Sequence, residues 1–372
     1  MVVRLMGLVF LLLIAALIWV ALGSLAIIHR LAHPVRMTYG VAVARDWPTS
    51  PADVIVGDKT TASEAQNGDS ATGETTGQGL QFTEAVASLR DGQTTPVWIV
   101  QGLKKDGPVV VISHGWSHSR FASLVWISQL APHASKLIAY DMRGHGESSA
   151  AKSKLGTLEV DDLLDITQQF AVNAVDAMDD SSNLAPAIIY AGQSMGGGIS
   201  IVAAARSITS PREGVNIAGV WVDGVYRLGM QPVEGYFKQK GLPLWPFWLT
   251  VAGHLSFWYT RAKDFDRAMH AAKLRCPLMA VHGALDEVCP VNAAKDIVAA
   301  ARDAGCWTKL VVFPQGGHLN LTEIDPVAYR AATTEFFGQV AQAAANTTTP
   351  VAQPSQPMRL TNDEASVQTN TF

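Results

Sequence analysis

Six short apolar, β-rich runs recur along the chain, at 109–113, 136–140, 187–191, 219–222, 278–281 and 310–313. Longer segments of helical character alternate with them, at 121–131, 158–177, 195–207, 291–304 and 326–339. Several of the runs are apolar at every position, as expected of strands that helices cover on both faces. One such run alone does not separate a strand from a buried helix. The alternation over roughly 260 residues does, and it predicts a single, mostly parallel α/β sheet. Ahead of it, residues 84–89, the pair Asp91-Gly92 and residues 95–100 read as a β-hairpin.

The string Gly192-Gln193-Ser194-Met195-Gly196 stands between the run at 187–191 and a helix rich in Ala and Ile. A serine on so sharp a strand-to-helix turn needs almost no side chain two residues before and two after it. Gly192 and Gly196 meet that demand, and Gly197 and Gly198 relieve crowding further. The turn pushes the hydroxyl out at the top of the sheet, over a helix N-terminus. A plain glycine turn is the alternative, and the strand and helix on either side argue against it.

A nucleophilic serine needs a base, and a group that fixes the base's tautomer. His318 follows the run at 310–313, after Gly316-Gly317. Two acids are available. Asp286 follows the run at 278–281, in His282-Gly283-Ala284-Leu285-Asp286, and Asp223 follows the run at 219–222. All three residues fall at carboxyl ends of parallel strands, where open α/β sheets place their sites. Acyl transfer also needs donors for a developing oxyanion. The candidates are the backbone N–H of Met195 and that of Trp116, in His114-Gly115-Trp116 after the run at 109–113.

Four strings together resemble the α/β-hydrolase superfamily, closest to its monoacylglycerol-lipase-like and serine-aminopeptidase-like branch. They are Ser113-His114-Gly115-Trp116, Asp141-Met142-Arg143-Gly144-His145-Gly146-Glu147-Ser148, Gly192-Gln193-Ser194-Met195-Gly196-Gly197 and Gly316-Gly317-His318. His282 to Pro290 is similar to that family's acid motif, with Cys289 an atypical detail, and this resemblance prefers Asp286 over Asp223. It implies an α/β-hydrolase fold, a Ser194–Asp286–His318 triad and a cofactor-free, metal-free esterase, lipase, amidase or peptidase. In the Asp141–Ser148 block, His145 resembles part of a structural turn rather than a catalytic base. Serine at position 194 disfavours the superfamily's halide and epoxide chemistry, which needs a carboxylate there. A non-catalytic binding protein of this fold usually lacks one triad member, and here all three are present.

Between Tyr226 and Leu274 the alternation lapses, where the fold usually carries a cap. Trp245, Phe247, Trp248 and Trp258 make this segment strongly apolar. They are expected to bind the acyl part of a substrate or touch a membrane; packing on their own domain is the competing reading.

Leu5 to Ile28 carries no charge and is long enough to cross a bilayer core of ~30 Å. A cleaved signal peptide is the alternative, but its apolar core is usually only about 7–15 residues. The expected organisation is a membrane anchor with flanks at 1–36 and a juxtamembrane segment with a flexible acidic linker at 37–79. The hydrolase domain follows at 80–340, its cap at about 226–274, and a disordered tail at 341–372. Residues 37–56 are compatible with a short strand pair, and removal through Arg36 is expected to release an active domain. The side of the membrane and the oligomeric state are open. The net charge of −4 comes without a basic block, which excludes a nucleic-acid footprint. Cys276, Cys289 and Cys306 have no metal-binding spacing and read as small buried hydrophobes. The expected substrate is a small-molecule or lipid carboxylic ester with an apolar acyl chain; an amide or peptide is the alternative.

Overall fold

The computed structural model describes residues 1–56, 79–150, 152–172, 185–255 and 266–348. Residues 57–78 of the expected linker, residues 349–372 of the expected tail and Trp258 fall outside these residues.

Eight strands form one sheet: β1 (Phe82–Ser88), β2 (Thr94–Gln101), β3 (Val109–Ser113), β4 (Lys136–Tyr140), β5 (Ala187–Gln193), β6 (Asn216–Asp223), β7 (Leu278–Gly283) and β8 (Thr308–Phe313). Their order is β1-β2-β4-β3-β5-β6-β7-β8. The β1–β2 and β2–β4 pairs are antiparallel, and every later pair is parallel. The hairpin turns at Gly92, which has φ 78°.

The helices are α1 (Val2–Ala32), α2 (Tyr39–Ala44), α3 (Leu124–Leu130), α4 (Leu158–Thr167), α5 (Met195–Thr209), α6 (Met230–Gln239), α7 (Trp248–His254), α8 (Arg267–Ala271), α9 (Val291–Asp303), α10 (Leu321–Ile324) and α11 (Pro326–Thr348). The sheet is covered on both sides because its strands are apolar on both. Val109 and Val111 of β3 face a core shared with Leu163, Ile199 and Ile297. Val110 and Ile112, one residue out of phase, face a core shared with Ile127, Tyr329 and Phe336.

Three expectations about the ends of the domain change. Residues 37–56 form no strand pair: α2 and a short 3-10 turn at Pro51–Asp53 occupy them, and only Ile55 bridges to Gly79. Ala42 and Val54 instead bury against the Trp98 core. Helix α11 continues past residue 340 to Thr348, where a tail was expected to begin. Most consequentially, α1 is not separate from the domain. Its first half is exposed, but Ser24, Ile28 and Ala32, four apart on one face, are buried. Ile28 packs with Val233 of α6 and with Val251 and Leu255 at α7, and the backbone N–H of Ser153 donates to Ala32 O at 2.8 Å.

Candidate active site

Ser194 is the single residue between β5 and α5, and its backbone is in the left-handed half of conformational space (φ 50°, ψ −112°). Such strain persists only where its surroundings enforce it. A Cβ on Gly192 would lie 2.2 Å from Gly196 O, and one on Gly196 would lie 2.1 Å from Ser113 O, so the turn closes only with hydrogen at both positions. The Ser194 N–H donates to Asp223 O at 2.8 Å, which ties the turn to the end of β6.

His318 and Asp286 come from the loops after β8 and β7. These loops are stitched together by Leu285 N–H to Gly316 O (2.8 Å) and Ala284 N–H to Phe313 O (2.9 Å). The Nδ1 of His318 lies 2.8 Å from Asp286 Oδ2. The other oxygen, Oδ1, accepts the backbone N–H groups of Val288 (2.9 Å) and Cys289 (2.7 Å), which fixes the carboxylate's orientation. His282 stands beside it, its Nε2 2.7 Å from Cys289 O and 3.4 Å from Asp286 Oδ2.

Asp223, the rival acid, is engaged elsewhere. Its Oδ2 accepts from Trp126 Nε1 (3.2 Å) and Tyr329 Oη (3.1 Å), and burial pushes its carboxyl up to about 7. The Asp141 block is likewise structural. Asp141 accepts the backbone N–H groups of Arg120 and Glu147 and pairs with the Arg120 guanidinium. His145 is buried against Arg143 O and the His114 ring, outside the cavity described below.

Met195 opens α5, so its N–H has no acceptor within the helix. The loop bearing Trp116 is held from an unexpected side: the Trp116 indole donates to Leu31 O at 2.9 Å and the Ser117 hydroxyl to Val35 O at 3.0 Å. The end of α1 and the residues after it thus brace the loop that carries the second candidate oxyanion donor.

Ser194, Met195, Trp116 and His318 open onto one cavity of about 510 Å³. Leu31, Val35, Met37 and Trp47 form one wall, and Val233 and Tyr236 of α6 form another. The structure does not bring Trp245, Phe247 and Trp248 into this lining. Trp245 is 82% exposed, Phe247 packs on Trp19 of α1 (ring centroids 4.9 Å), and the Trp248 indole donates to Glu234. Phe247 found a partner in α1, which the sequence offered only as a membrane anchor. The same packing hides the signal for the 31–47 wall, which has no periodicity pointing toward the site.

His118 also lines the cavity. Burial, and then the nearby His318, lower it to about 4, so it is neutral near pH 7. Asp286, Cys289 and His318 offer donor atoms within 4.8 Å of one another. The His318–Asp286 hydrogen bond already engages two of these groups, and burial raises the Cys289 thiol well above its usual value. That donor set suits a protonated thiol beside the His318–Asp286 pair better than a metal.

Residues 108–250 match the model of the alpha/beta hydrolase fold family. Protein phosphatase methylesterase 1 of Mus musculus is 28% identical over 137 residues, a match covering 36% of this chain and 33% of the mouse protein. The chain thus aligns with about a third of that relative's length. Among solved structures, an esterase of Pyrococcus furiosus superposes with a TM-score of 0.54 at 17% identity, covering 70% of this chain and 91% of that one. An acylaminoacyl peptidase of Pyrococcus horikoshii superposes with a TM-score of 0.50 at 14% identity, over 70% of this chain and 41% of that one. With the sheet order and these matches together, the chain has the α/β-hydrolase fold.

Proposed function

We propose that this hydrolase is a membrane-anchored serine esterase that cleaves carboxylic esters with apolar acyl chains through an acyl–Ser194 intermediate. The observation that carries the reading is the 2.8 Å contact of His318 Nδ1 with Asp286 Oδ2, beside a cavity that His318 shares with Ser194. An acceptor at Nδ1 keeps the neutral proton there and leaves Nε2 free as the base. Nε2 takes the Ser194 proton as Oγ attacks the ester carbonyl. The N–H groups of Met195 and Trp116 receive the oxyanion. The imidazolium, stabilised by Asp286, then protonates the departing alcohol, and water repeats the sequence on the acyl-enzyme.

The preference for esters over aminoacyl amides rests on the lining, which among the described residues contains no Asp or Glu to receive a free amino terminus. The membrane reading rests on α1, long and apolar enough to span a bilayer, and on the exposed Leu242, Trp245 and Leu249 of the cap beside it. The packing of Ile28 and Ala32 into the domain favours a retained anchor over a cleaved leader. A panel of p-nitrophenyl esters from acetate to decanoate, run beside aminoacyl p-nitroanilides, tests the proposal. kcat/KM is expected to rise with acyl length and to exceed that of any amide. Amides as the best substrates, with no gain from acyl length, would establish the peptidase alternative.

A further inference from the structure

We infer that the cavity takes an amphiphilic ester whose head carries a phosphate or carboxylate, held at a rim formed by Arg30, Arg45 and Lys240. This inference rests on the serine-esterase reading and names the substrate class for the same site. Among the described residues, the lining holds these three cations and no Asp or Glu, although the whole chain carries a net charge of −4. All three cationic residues are exposed, whereas Ser194 and Met195 at the floor are buried. The site is therefore charged at its mouth and apolar along the Leu31, Val233 and Leu255 sides, the profile of a head group followed by a chain.

Aromatic rings position two of the rim cations. The Arg45 guanidinium sits 5.0 Å from the Trp47 ring and the Lys240 ammonium 5.9 Å from the Tyr236 ring, and both rings line the cavity. Among the described residues, none of the three has a carboxylate within ion-pair distance. Other arginines near the site are occupied: Arg36 donates to Ser148 O and Ala150 O, Arg120 pairs with Asp141 and Glu147, and Arg227 pairs with Asp266 and Asp296. Two guanidiniums and an ammonium with no carboxylate partner among the described residues are suited to a multivalent oxyanion. Cations after a membrane helix also attract anionic lipid surfaces. That effect is removed when no bilayer is present and is controlled by moving the charge change elsewhere.

The test uses the full-length chain in micelles of an uncharged detergent. It compares kcat/KM for 1-decanoyl-glycerol 3-phosphate with that for 1-decanoylglycerol, which has the same acyl chain. Three exposed charges at this range are expected to favour the phosphate ester by about tenfold. The triple variant Arg30→Gln/Arg45→Gln/Lys240→Gln should bring the ratio to about one. The charge-matched control Lys104→Gln/Lys105→Gln/Lys295→Gln, away from the cavity, should retain it. A wild-type ratio near one, with the neutral ester well cleaved, overturns the inference and leaves the esterase reading standing. So does an equal loss of preference in the control, which assigns the effect to net charge. Failure to hydrolyse either ester, together with no fluorophosphonate labelling of Ser194, overturns both.

Discussion

The indole N–H of Trp116 donates to the carbonyl of Leu31 at 2.9 Å, joining the candidate oxyanion loop to the last turn of the apolar N-terminal helix. With Ser117 bonded to Val35 O, this makes residues 31–35 a support of the candidate oxyanion loop. Deletion of residues 1–36 is therefore expected to lower kcat on a short ester by about tenfold or more. Removing one oxyanion donor outright costs ~10²–10³, and loosening its loop costs less. Deletion of residues 1–18, which spares the packed half of α1, should leave kcat near that of the full chain. Equal kcat for both deletions would show that the contact has no catalytic consequence.

Asp286→Asn should reduce kcat by roughly 10⁴, because an amide can hold His318 in the wrong tautomer and cannot stabilise the imidazolium. Asp223→Asn should retain most activity, since its carboxyl faces Trp126 and Tyr329. Kinetics of the two variants, with circular dichroism to check folding, decide between the acids. A folded but inactive Asp223→Asn would reverse their roles.

Asp223 also predicts a pH signature in stability. Burial pushes its carboxyl up to about 7, against ~3.9 in an unfolded chain. Between these values the folded state holds the proton more tightly, so Asp223's contribution falls as pH rises from about 4 to 7, then levels off. Asn does not titrate. The stability of Asp223→Asn relative to wild type should therefore improve across that window, by at most ~1.4 kcal/mol per pH unit. Chemical denaturation at pH 4.5, 6 and 8 measures it. A difference that stays constant with pH would contradict the assigned environment.

Acyl selectivity should follow the wall rather than the exposed cap aromatics. Val233 is buried at the cavity wall, and Val233→Phe adds volume there. The optimum chain length on a p-nitrophenyl ester series should shorten by several carbons. Trp245→Ala, at a residue 82% exposed and outside the lining, should leave the optimum in place. A shift caused by Trp245→Ala and not by Val233→Phe would return the acyl site to the cap.

The sheet was legible because apolar strands and their alternation with helices obey local rules, and the strand runs at 109–113 and 136–140 coincide with β3 and β4. Ser194 and His318 stood out as candidates because each follows a strand at a glycine turn, whereas Asp286 was set above Asp223 only by the resemblance of residues 282–290 to an acid motif. The cavity wall was not legible. Leu31, Val35, Met37 and Trp47 come from a segment whose composition speaks only of membrane and linker, and their role depends on how α1 docks on α6 and α7. Phe247 stands outside the lining for the complementary reason. Apolarity in a cap says that a residue seeks cover, and α1 supplied that cover for Phe247.

The central claim is that Ser194 is an activated nucleophile, and intact-protein mass spectrometry after exposure to a fluorophosphonate tests it most directly. One adduct per chain is expected, mapping to the peptide that contains Ser194. The adduct should be absent from Ser194→Ala and strongly slowed in Asp286→Asn, whose base is mispositioned. Undiminished labelling of Ser194→Ala, or no labelling of the folded wild-type protein, would contradict the account.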